Sequence, residues 1–207
     1  MARTPPTKPR KNALQARSRA TVDALIEATA RILAREGFEK TSTNRIAEIA
    51  GVSVGSLYQY FPSKEALVAA VIDRHNEEIM GLVRAALTEV ADLPVDKAVR
   101  KLVTVAIEAH GINPKLHRVL AEQIPRTGQL ADVEAFNREI RTLVRTYLES
   151  RRKEMRKVDL DVATFICVNA IEAVAHNTVL EQAEMLSERM VRTLVDETTR
   201  MVVGYLR

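Results

Sequence analysis

Hydrophobic residues recur along this chain every three to four positions, which is the period of an α-helix. Prolines and glycines lie between these periodic segments, and residues 129–203 contain neither type. Helix interiors tolerate both residues poorly, so the long uninterrupted stretch favours long helices. No segment alternates polar and apolar residues as a half-buried strand does. The pattern therefore predicts an all-α protein of about nine helices.

Capping and breaking residues set the predicted helix ends. Gly37 and Gly51 accept the left-handed conformation that ends helices. Ser63 is a predicted N-cap, and Pro62 and Pro125 are expected at helix ends. The predicted helices are Arg19–Glu36, Asn44–Ala50, Val54–Tyr60, Ser63–Glu89, Val95–His110, Pro114–Gln123, Leu130–Arg156, Asp161–Glu181 and Leu186–Leu206.

Positive charge is concentrated at the N-terminal end of the chain. The net charge is +4, yet the first 19 residues hold six basic residues and no acidic one. Residues 1–18 are also proline-rich and lack periodicity, which predicts an arm that is disordered unless bound. A basic end on a near-neutral body favours a polyanionic partner, although a solvated tail explains the composition equally well.

Cysteine content and hydropathy bound the cellular setting. Cys167 is the single cysteine, so a disulfide within the chain is excluded. No apolar run approaches membrane-spanning length, and the N-terminus has no apolar signal core. We therefore expect a soluble, cytoplasmic protein without a membrane partner.

The segment Thr41–Leu67 has the pattern of a helix-turn-helix. Two short helices are joined by a tight turn, and Ala47, Ala50 and Gly51 are small enough for the helices to approach closely. The second helix has the size that fits the major groove of DNA. Its predicted outer face is polar and aromatic, while Leu57 and Phe61 point inward. The outer-face residues are Ser53, Val54, Ser56, Tyr58, Gln59 and Tyr60.

The residues of this segment resemble the TetR/AcrR family of bacterial regulators. The match covers about Ser18–Leu67 and has no gap, whereas the rest of the chain is similar to the family only in length and helix count. The matching residues are Thr43, Ile46, Ala47, Ala50, Gly51, Val52, Ser53, Gly55, Ser56, Leu57, Tyr58, Tyr60, Phe61, Ser63, Lys64, Glu65 and Leu67.

The resemblance implies a helix-turn-helix domain over residues 19–65 and a ligand-binding and dimerisation domain over 66–207. It also implies roles for the DNA-binding residues. Backbone contacts are expected from Thr43, Arg45, Tyr58, Tyr60 and Lys64, the last at a helix N-terminus that favours phosphate. Base contacts are expected from Val54, Gly55, Ser56 and Gln59. Gln59 is the best base reader, because an amide can bond adenine twice.

The last two helices carry more apolar surface than one monomer's core requires. The eighth helix is apolar nearly all round, and the ninth carries a stripe that includes Met190 and Met201. By resemblance, these helices pair with their copies in a homodimer, and a twofold dimer would read a palindrome. Phe136, Met155 and Phe165 are interpreted as core residues.

A ligand pocket among the later helices is implied by the resemblance, with polar candidates at its wall. Asn169, Glu172 and His176 are three and four residues apart, so they share a face of an apolar helix. Each is equally interpretable as a satisfied core or interface group. The candidate set is His110, Asn113, His117, Glu122, Tyr147, Asn169, Glu172, His176 and Asn177.

Other chemistry finds no support in the sequence. There is no cysteine cluster, no His-x3-His pair, no phosphate-cradling glycine loop and no nucleophile-base pattern. We therefore expect neither a metal, a cofactor nor an enzymatic activity. The resemblance implies a repressor whose operator is released when an apolar or amphipathic effector shifts the fourth helix. A DNA-binding scaffold without an effector is the alternative.

Overall fold

The structure is a computed structural model that describes residues 16–127, 130–181 and 187–207. Within these residues nine α-helices occur and no strand, so the predicted all-α class is confirmed. The helices are α1 Ala16–Lys40, α2 Thr43–Ala50, α3 Val54–Tyr60, α4 Lys64–Glu89, α5 Val95–Gly111, α6 Pro114–Thr127, α7 Leu130–Ser150, α8 Leu160–Glu181 and α9 Glu188–Leu206.

Some helix ends differ from the predicted ones. Helix α1 begins at Ala16, so the last three residues of the predicted arm are helical, while residues 1–15 lie outside the described residues. Helix α6 continues through Pro125 and ends two residues later. Pro125 lies in the last turn, where a missing N–H removes little of the helix's bonding. The predicted start of the ninth helix, Leu186, also lies outside the described residues.

Helix α7 ends at Ser150 rather than at Arg156, and a short 3₁₀ helix follows at Arg152–Glu154. The carboxylate of Glu154 accepts a hydrogen bond from the backbone N–H of Val95 at 2.9 Å. Val95 opens α5, and its N-cap residue, Pro94, has no side-chain donor or acceptor to satisfy the first turn. The chain leaves α7 early in a geometry that lets Glu154 cap another helix.

Two glycines shape the helix-turn-helix. Gly37 interrupts α1 with φ 77° and ψ 176°, and the chain then turns toward α2. Gly51 ends α2 in the left-handed conformation with φ 69°. Both glycines were predicted to end helices, and these angles explain why, since residues with a Cβ rarely adopt them.

The chain divides into two compact units. The first contains the residues up to Asn76 together with Lys115–Asp132, and the second contains Glu77–Pro114 and Val133–Arg207. The first unit extends past the predicted boundary at residue 65 because later side chains complete its core. Those side chains are Ala66, Leu67, Val68, Val71 and Ile72 of α4, and Leu116 and Leu120 of α6.

The core of the second unit is built from α5, α7, α8, α9 and the end of α4. Buried Val99, Tyr147, Cys167 and Leu206 belong to it. Phe165, interpreted from the sequence as core, is 57% exposed, because it lies on the opposite face of α8 from Cys167.

Helix α8 is more hydrophobic than the sequence interpretation allowed. Over Leu160–Leu180 it is long and apolar enough to cross a membrane by length and composition, with a mean hydropathy of 1.3. That corrects the expectation that no run approaches such a length. Ala163, Cys167, Ala175 and Val179 on this helix are buried within the protein. Core helices of soluble proteins have the same composition, so this hydropathy does not indicate a membrane span.

A matched pair of glycine substitutions tests the role of the left-handed turn. We expect Gly51→Ala to lower the free energy of unfolding by about 1 kcal/mol, because alanine is strained at this φ. Gly81→Ala, inside α4, should instead raise it by roughly 0.5–1 kcal/mol, since alanine favours helix. Neither new Cβ would meet an atom within 4 Å. Urea unfolding compares the two, and equal stabilities of Gly51→Ala and the natural sequence would contradict the strain account.

Candidate DNA-binding surface and effector cavity

Helix α3 is the candidate recognition helix. Its N-cap is Ser53, whose hydroxyl accepts a hydrogen bond from the Ser56 N–H at 3.1 Å. Leu57 is fully buried and fixes the inner face of the helix. The opposite face presents Val54, Gly55, Tyr58 and Gln59 to solvent. Short, capped and anchored on one side, this helix is built to present its other side to a groove.

Two hydroxyls from different helices meet beside α3. Thr43 Oγ1 of α2 and Tyr58 Oη of α3 lie 3.1 Å apart. The tyrosine side chain is exposed and the threonine is half-buried. Such a hydroxyl pair can donate to one phosphate oxygen, which is how a protein's register on a duplex is fixed. The structure thus brings together Thr43 and Tyr58, two of the predicted backbone-contact residues.

Arg45 lies on the exposed side of α2. Its guanidinium pairs with the Glu48 carboxylate at 2.8 Å, and both side chains are solvent-exposed. Exposed ion pairs of this kind contribute little to stability. Glu48 therefore positions Arg45 without holding it tightly.

Tyr60 does not lie on the exposed face of α3 as predicted. Only 8% of the residue is exposed, because it follows Leu57 by three positions and shares its inward face. Tyr60 also borders a polar cleft of about 360 Å³ lined by Ser18, Thr21, Ser56 and Gln59, among others. The sequence pattern missed Ser18 and Thr21, which reach this cleft from the start of α1.

Lys64 makes contacts within the protein that the sequence did not indicate. Its ammonium donates to the carbonyl of Phe38 at 3.1 Å and lies 3.9 Å from the centre of the Phe38 ring. These contacts join the first residue of α4 to the bend after α1. Lys64 thus anchors the helix-turn-helix at the place where its phosphate contact is expected.

The second unit encloses an apolar cavity of about 80 Å³. Residues from α4, α5, α7, α8 and α9 form its wall, and most are aliphatic, as expected for a small-molecule site. Of the predicted polar residues, Tyr147 and Glu172 line it. Asn137 and Cys167 line it as well, although the sequence did not single them out as pocket residues.

Two of these polar groups are accounted for by the fold. The Tyr147 hydroxyl donates to the carbonyl of Leu93 at 3.0 Å, and burial raises the pKa of Tyr147 to about 12. Burial likewise raises the pKa of the Cys167 thiol to about 11. Both groups therefore stay neutral at physiological pH, and the thiol is a poor nucleophile.

His110 and Glu172 form a hydrogen-bonded pair at this cavity. His110 Nε2 lies 3.3 Å from Glu172 Oε1, and His110 Nδ1 lies 2.7 Å from the carbonyl of Ala106. Burial alone would lower the pKa of His110, but the hydrogen bond and negative charge of Glu172, with the Ala106 carbonyl, outweigh it and raise that pKa. His176 meets His110 edge-on with ring centres 6.2 Å apart, and burial lowers its own pKa.

The remaining predicted pocket residues lie elsewhere. Asn113 is exposed after α5. His117 and Glu122 belong to the first unit, where His117 Nδ1 lies 2.9 Å from His75 Nε2 and Glu122 is exposed. Asn169 and Asn177 are exposed on the outer face of α8, and the Asn169 amide donates to the Phe165 carbonyl. Their face of α8 points away from Cys167 and therefore from the cavity.

The His110–Glu172 pair gives stability that depends on pH. Because the pKa of His110 is raised above its ordinary value of 6.5, the pair contributes fully below that value. The contribution is lost as the pH rises through the raised pKa. We expect Glu172→Gln to lower the free energy of unfolding by about 1 kcal/mol near pH 6, and by clearly less near pH 9. Glu78→Gln, the same change at an exposed site of α4, should show no such difference between the two pH values.

Comparisons with known proteins identify the family. Residues 94–206 match a family model described as "Tetracyclin repressor-like, C-terminal domain", which covers more than half of the chain. Residues 25–71 match one described as "Bacterial regulatory proteins, tetR family". The chain belongs to the TetR family. Proteins of this family are transcriptional regulators rather than enzymes, and they typically bind DNA as dimers and respond to small molecules.

Other TetR-family members and regulators match at lower identity. The nucleoid occlusion factor SlmA of Actinobacillus pleuropneumoniae is 32% identical over 85 residues, or 41% of each protein, so the chain spans less than half of that relative. The transcriptional repressor KstR2 of Mycolicibacterium smegmatis is 29% identical over 140 residues, 68% of this chain and 62% of that one.

Solved structures show the TetR fold along nearly the whole chain. A Mesorhizobium loti protein assigned to the TetR family superimposes with a TM-score of 0.77, at 17% identity, over 92% of this chain and 98% of the other. The fatty acid degradation regulator FadR of Bacillus halodurans gives 0.66, at 19% identity, over 90% and 96%. At such identities the likeness concerns the fold alone.

The two last helices of this TetR-family chain carry an exposed apolar face. On α8, Val162, Phe165 and Ile166 are between 39% and 57% exposed. On α9, Met190 and Met201 are 37% and 51% exposed. Clusters of large exposed apolar side chains commonly mark interaction surfaces. This set of five residues is called the α8–α9 face below.

Proposed function

We propose that this chain is a sequence-specific DNA-binding repressor that acts as a homodimer on a palindromic operator and is released by a small-molecule effector. The observation that carries the proposal is the exposed face of α3, where Val54, Tyr58 and Gln59 stand beside the Thr43–Tyr58 hydroxyl pair. Hydroxyls suit phosphate oxygens and an amide suits a base edge, so this face combines positioning with reading.

The predicted DNA-contact set stays a proposal in full. Backbone contacts fall to Thr43, Arg45, Tyr58 and Lys64, and base contacts to Val54, Gly55, Ser56 and Gln59. Ser53 contributes mainly as the N-cap of α3. Tyr60 enters only through its hydroxyl, because its ring is packed inside.

Dimerisation through α8 and α9 is supported by the α8–α9 face. A twofold contact buries the same patch on both copies, so exposed apolar groups on one chain become a shared core. Two recognition helices held one helical turn of DNA apart would then read a palindrome. In this arrangement Asn169 and Asn177 lie on the same side of α8 as the apolar face and are candidates for interface polar groups.

The effector part of the proposal rests on the apolar cavity with its few polar groups. Val83 of α4 lines this cavity, and α4 is the helix that starts directly after the helix-turn-helix. An effector that binds better to the conformation with low operator affinity would release the operator by shifting the equilibrium toward it. The cell compartment proposed for this protein is the cytoplasm, where family members generally reside.

A second function, a DNA-bound scaffold without an effector, is favoured by the likeness to the nucleoid occlusion factor SlmA. That likeness covers 41% of the chain, whereas the cavity belongs to the second unit as a whole. Release of operator by a cavity ligand would support the repressor, and operator affinity that no cavity ligand changes would support the scaffold.

Selection of DNA from a random-sequence pool by the purified full-length chain, at two salt concentrations, tests the DNA-binding part. A palindromic consensus whose affinity falls steeply with salt is expected. Gln59→Ala should alter the selected bases, and Glu78→Gln serves as a control that leaves them unchanged. Weak binding without sequence preference would overturn the proposal.

A further inference from the structure

Glu172 is the one ionised side chain in the described wall of the cavity. Its neighbours there are aliphatic, apart from Asn137, Tyr147 and Cys167, and the last two stay neutral. No lysine or arginine is among the lining residues. A carboxylate set in an apolar wall is costly unless a donor or cation satisfies it, so its presence marks what the site accommodates.

The hydrogen bonds of His110 show what Glu172 is paired with. The carbonyl of Ala106 can only accept, so His110 Nδ1 carries the proton of that bond. In the neutral ring Nε2 then has a lone pair, and a carboxylate also has only lone pairs. The contact between Nε2 and Glu172 Oε1 therefore needs one added proton on the pair. Glu172 is a group that requires a positive donor beside it.

A ligand that supplies such a donor would match this end of the cavity. An ammonium group carries three donors and a positive charge, and charge-assisted hydrogen bonds are stronger than neutral ones. A ligand carboxylate would meet the like charge of Glu172, and an alcohol would bring a single neutral donor. The side chain of Glu172 is 46% exposed, so a second oxygen has room for a partner.

We propose that the effector of this protein is a lipophilic amine, whose ammonium binds Glu172 and whose apolar tail lies among the aliphatic side chains of the cavity. This inference rests on the proposed effector site and names the chemistry of its ligand. Val99, Leu102, Val144, Val168 and Ile171 would contact the tail. The amine would compete with the His110 proton for the same carboxylate.

The size of the cavity favours a slender tail. Its volume of about 80 Å³ is smaller than that of cavities that hold benzene, which are about 150 Å³. Binding therefore has to open the wall, and an unbranched alkyl chain requires less opening than a ring. The required opening is also what would couple ligand binding to a change of conformation.

Three probes with the same tail and different head groups test the proposal: octylamine, octanol and octanoate. Titration calorimetry on the full-length chain without DNA should give octylamine the highest affinity, at least about tenfold above octanol, with octanoate weakest. Equal affinities, or tighter binding of octanoate, would overturn the amine assignment.

Variants locate the binding and guard against misfolding. Glu172→Gln should remove the preference for octylamine over octanol, whereas Glu78→Gln, with the same loss of charge on an exposed face, should retain it. If Glu172→Gln does not fold, Val168→Phe keeps the carboxylate and fills the cavity, and it should weaken octylamine and octanol alike. Octylamine that binds Val168→Phe as tightly as the natural protein lies outside the cavity and contradicts the proposal.

The same probes separate this inference from the proposed repressor function. Octylamine that binds through Glu172 but leaves operator affinity unchanged would sustain the ligand chemistry and overturn release by an effector. Operator release by octanol or octanoate, with no preference for the amine, would sustain release and overturn the ligand chemistry.

Discussion

Phe165→Asp is expected to convert the protein from a dimer into a monomer. Phe165 is 57% exposed at the middle of the apolar stripe on α8, and in a twofold interface the substitution occurs twice. Two carboxylates facing each other in an apolar contact bring desolvation and like-charge repulsion together. Operator affinity should fall by about 100-fold or more, because each monomer then reads only one half-site.

Sedimentation and operator titration measure the two consequences of Phe165→Asp. Leu82→Asp is the matched control, since Leu82 of α4 is also an exposed apolar residue, at 40%, but lies outside α8 and α9. It should leave both the oligomeric state and operator affinity unchanged. A Phe165→Asp protein that still sediments as a dimer would exclude the α8–α9 face as the dimer contact.

Leu57→Ala should destabilise the helix-turn-helix more than any change on its outer face. Leu57 is fully buried beneath α3, and truncation of a buried leucine leaves a cavity as well as losing burial. We expect the free energy of unfolding to fall by about 2–5 kcal/mol, with loss of operator binding because α3 is no longer held. Chemical denaturation measures the first effect and operator titration the second.

Val54→Ala is the control for that prediction, three residues away on the opposite side of α3. Val54 is 36% exposed, so its truncation should change stability by no more than about 0.5 kcal/mol. Its effect should appear in the choice of operator bases. If Val54→Ala destabilised the protein as much as Leu57→Ala, the assignment of inner and outer faces would be wrong.

The helix-turn-helix could be predicted from the sequence because local chemistry determines it. Ser53 caps α3 and Gly51 ends α2 where predicted, since each device acts within a few residues. Tyr60 shows the limit of this reasoning. It was taken for a surface residue from its phenol, but its position relative to Leu57 places the ring inside.

The cavity was harder to predict because helical spacing alone does not choose between faces of an apolar helix. Asn169 and Glu172 are three residues apart, about 60° from the same direction around α8, and that offset is enough for different environments. Glu172 lines the cavity, whereas Asn169 lies with Phe165 on the outside. Asn137 and Cys167 were missed as lining residues because their place depends on how distant helices pack.

The single cysteine has a practical consequence. Cys167 is buried in the cavity wall and its thiol has a pKa of about 11, so a cysteine-directed reagent reacts slowly with the closed protein. Any state that widens the cavity raises access to this sulfur. The natural sequence therefore carries its own site for a fluorine label, whose resonance would distinguish open from closed molecules without any substitution.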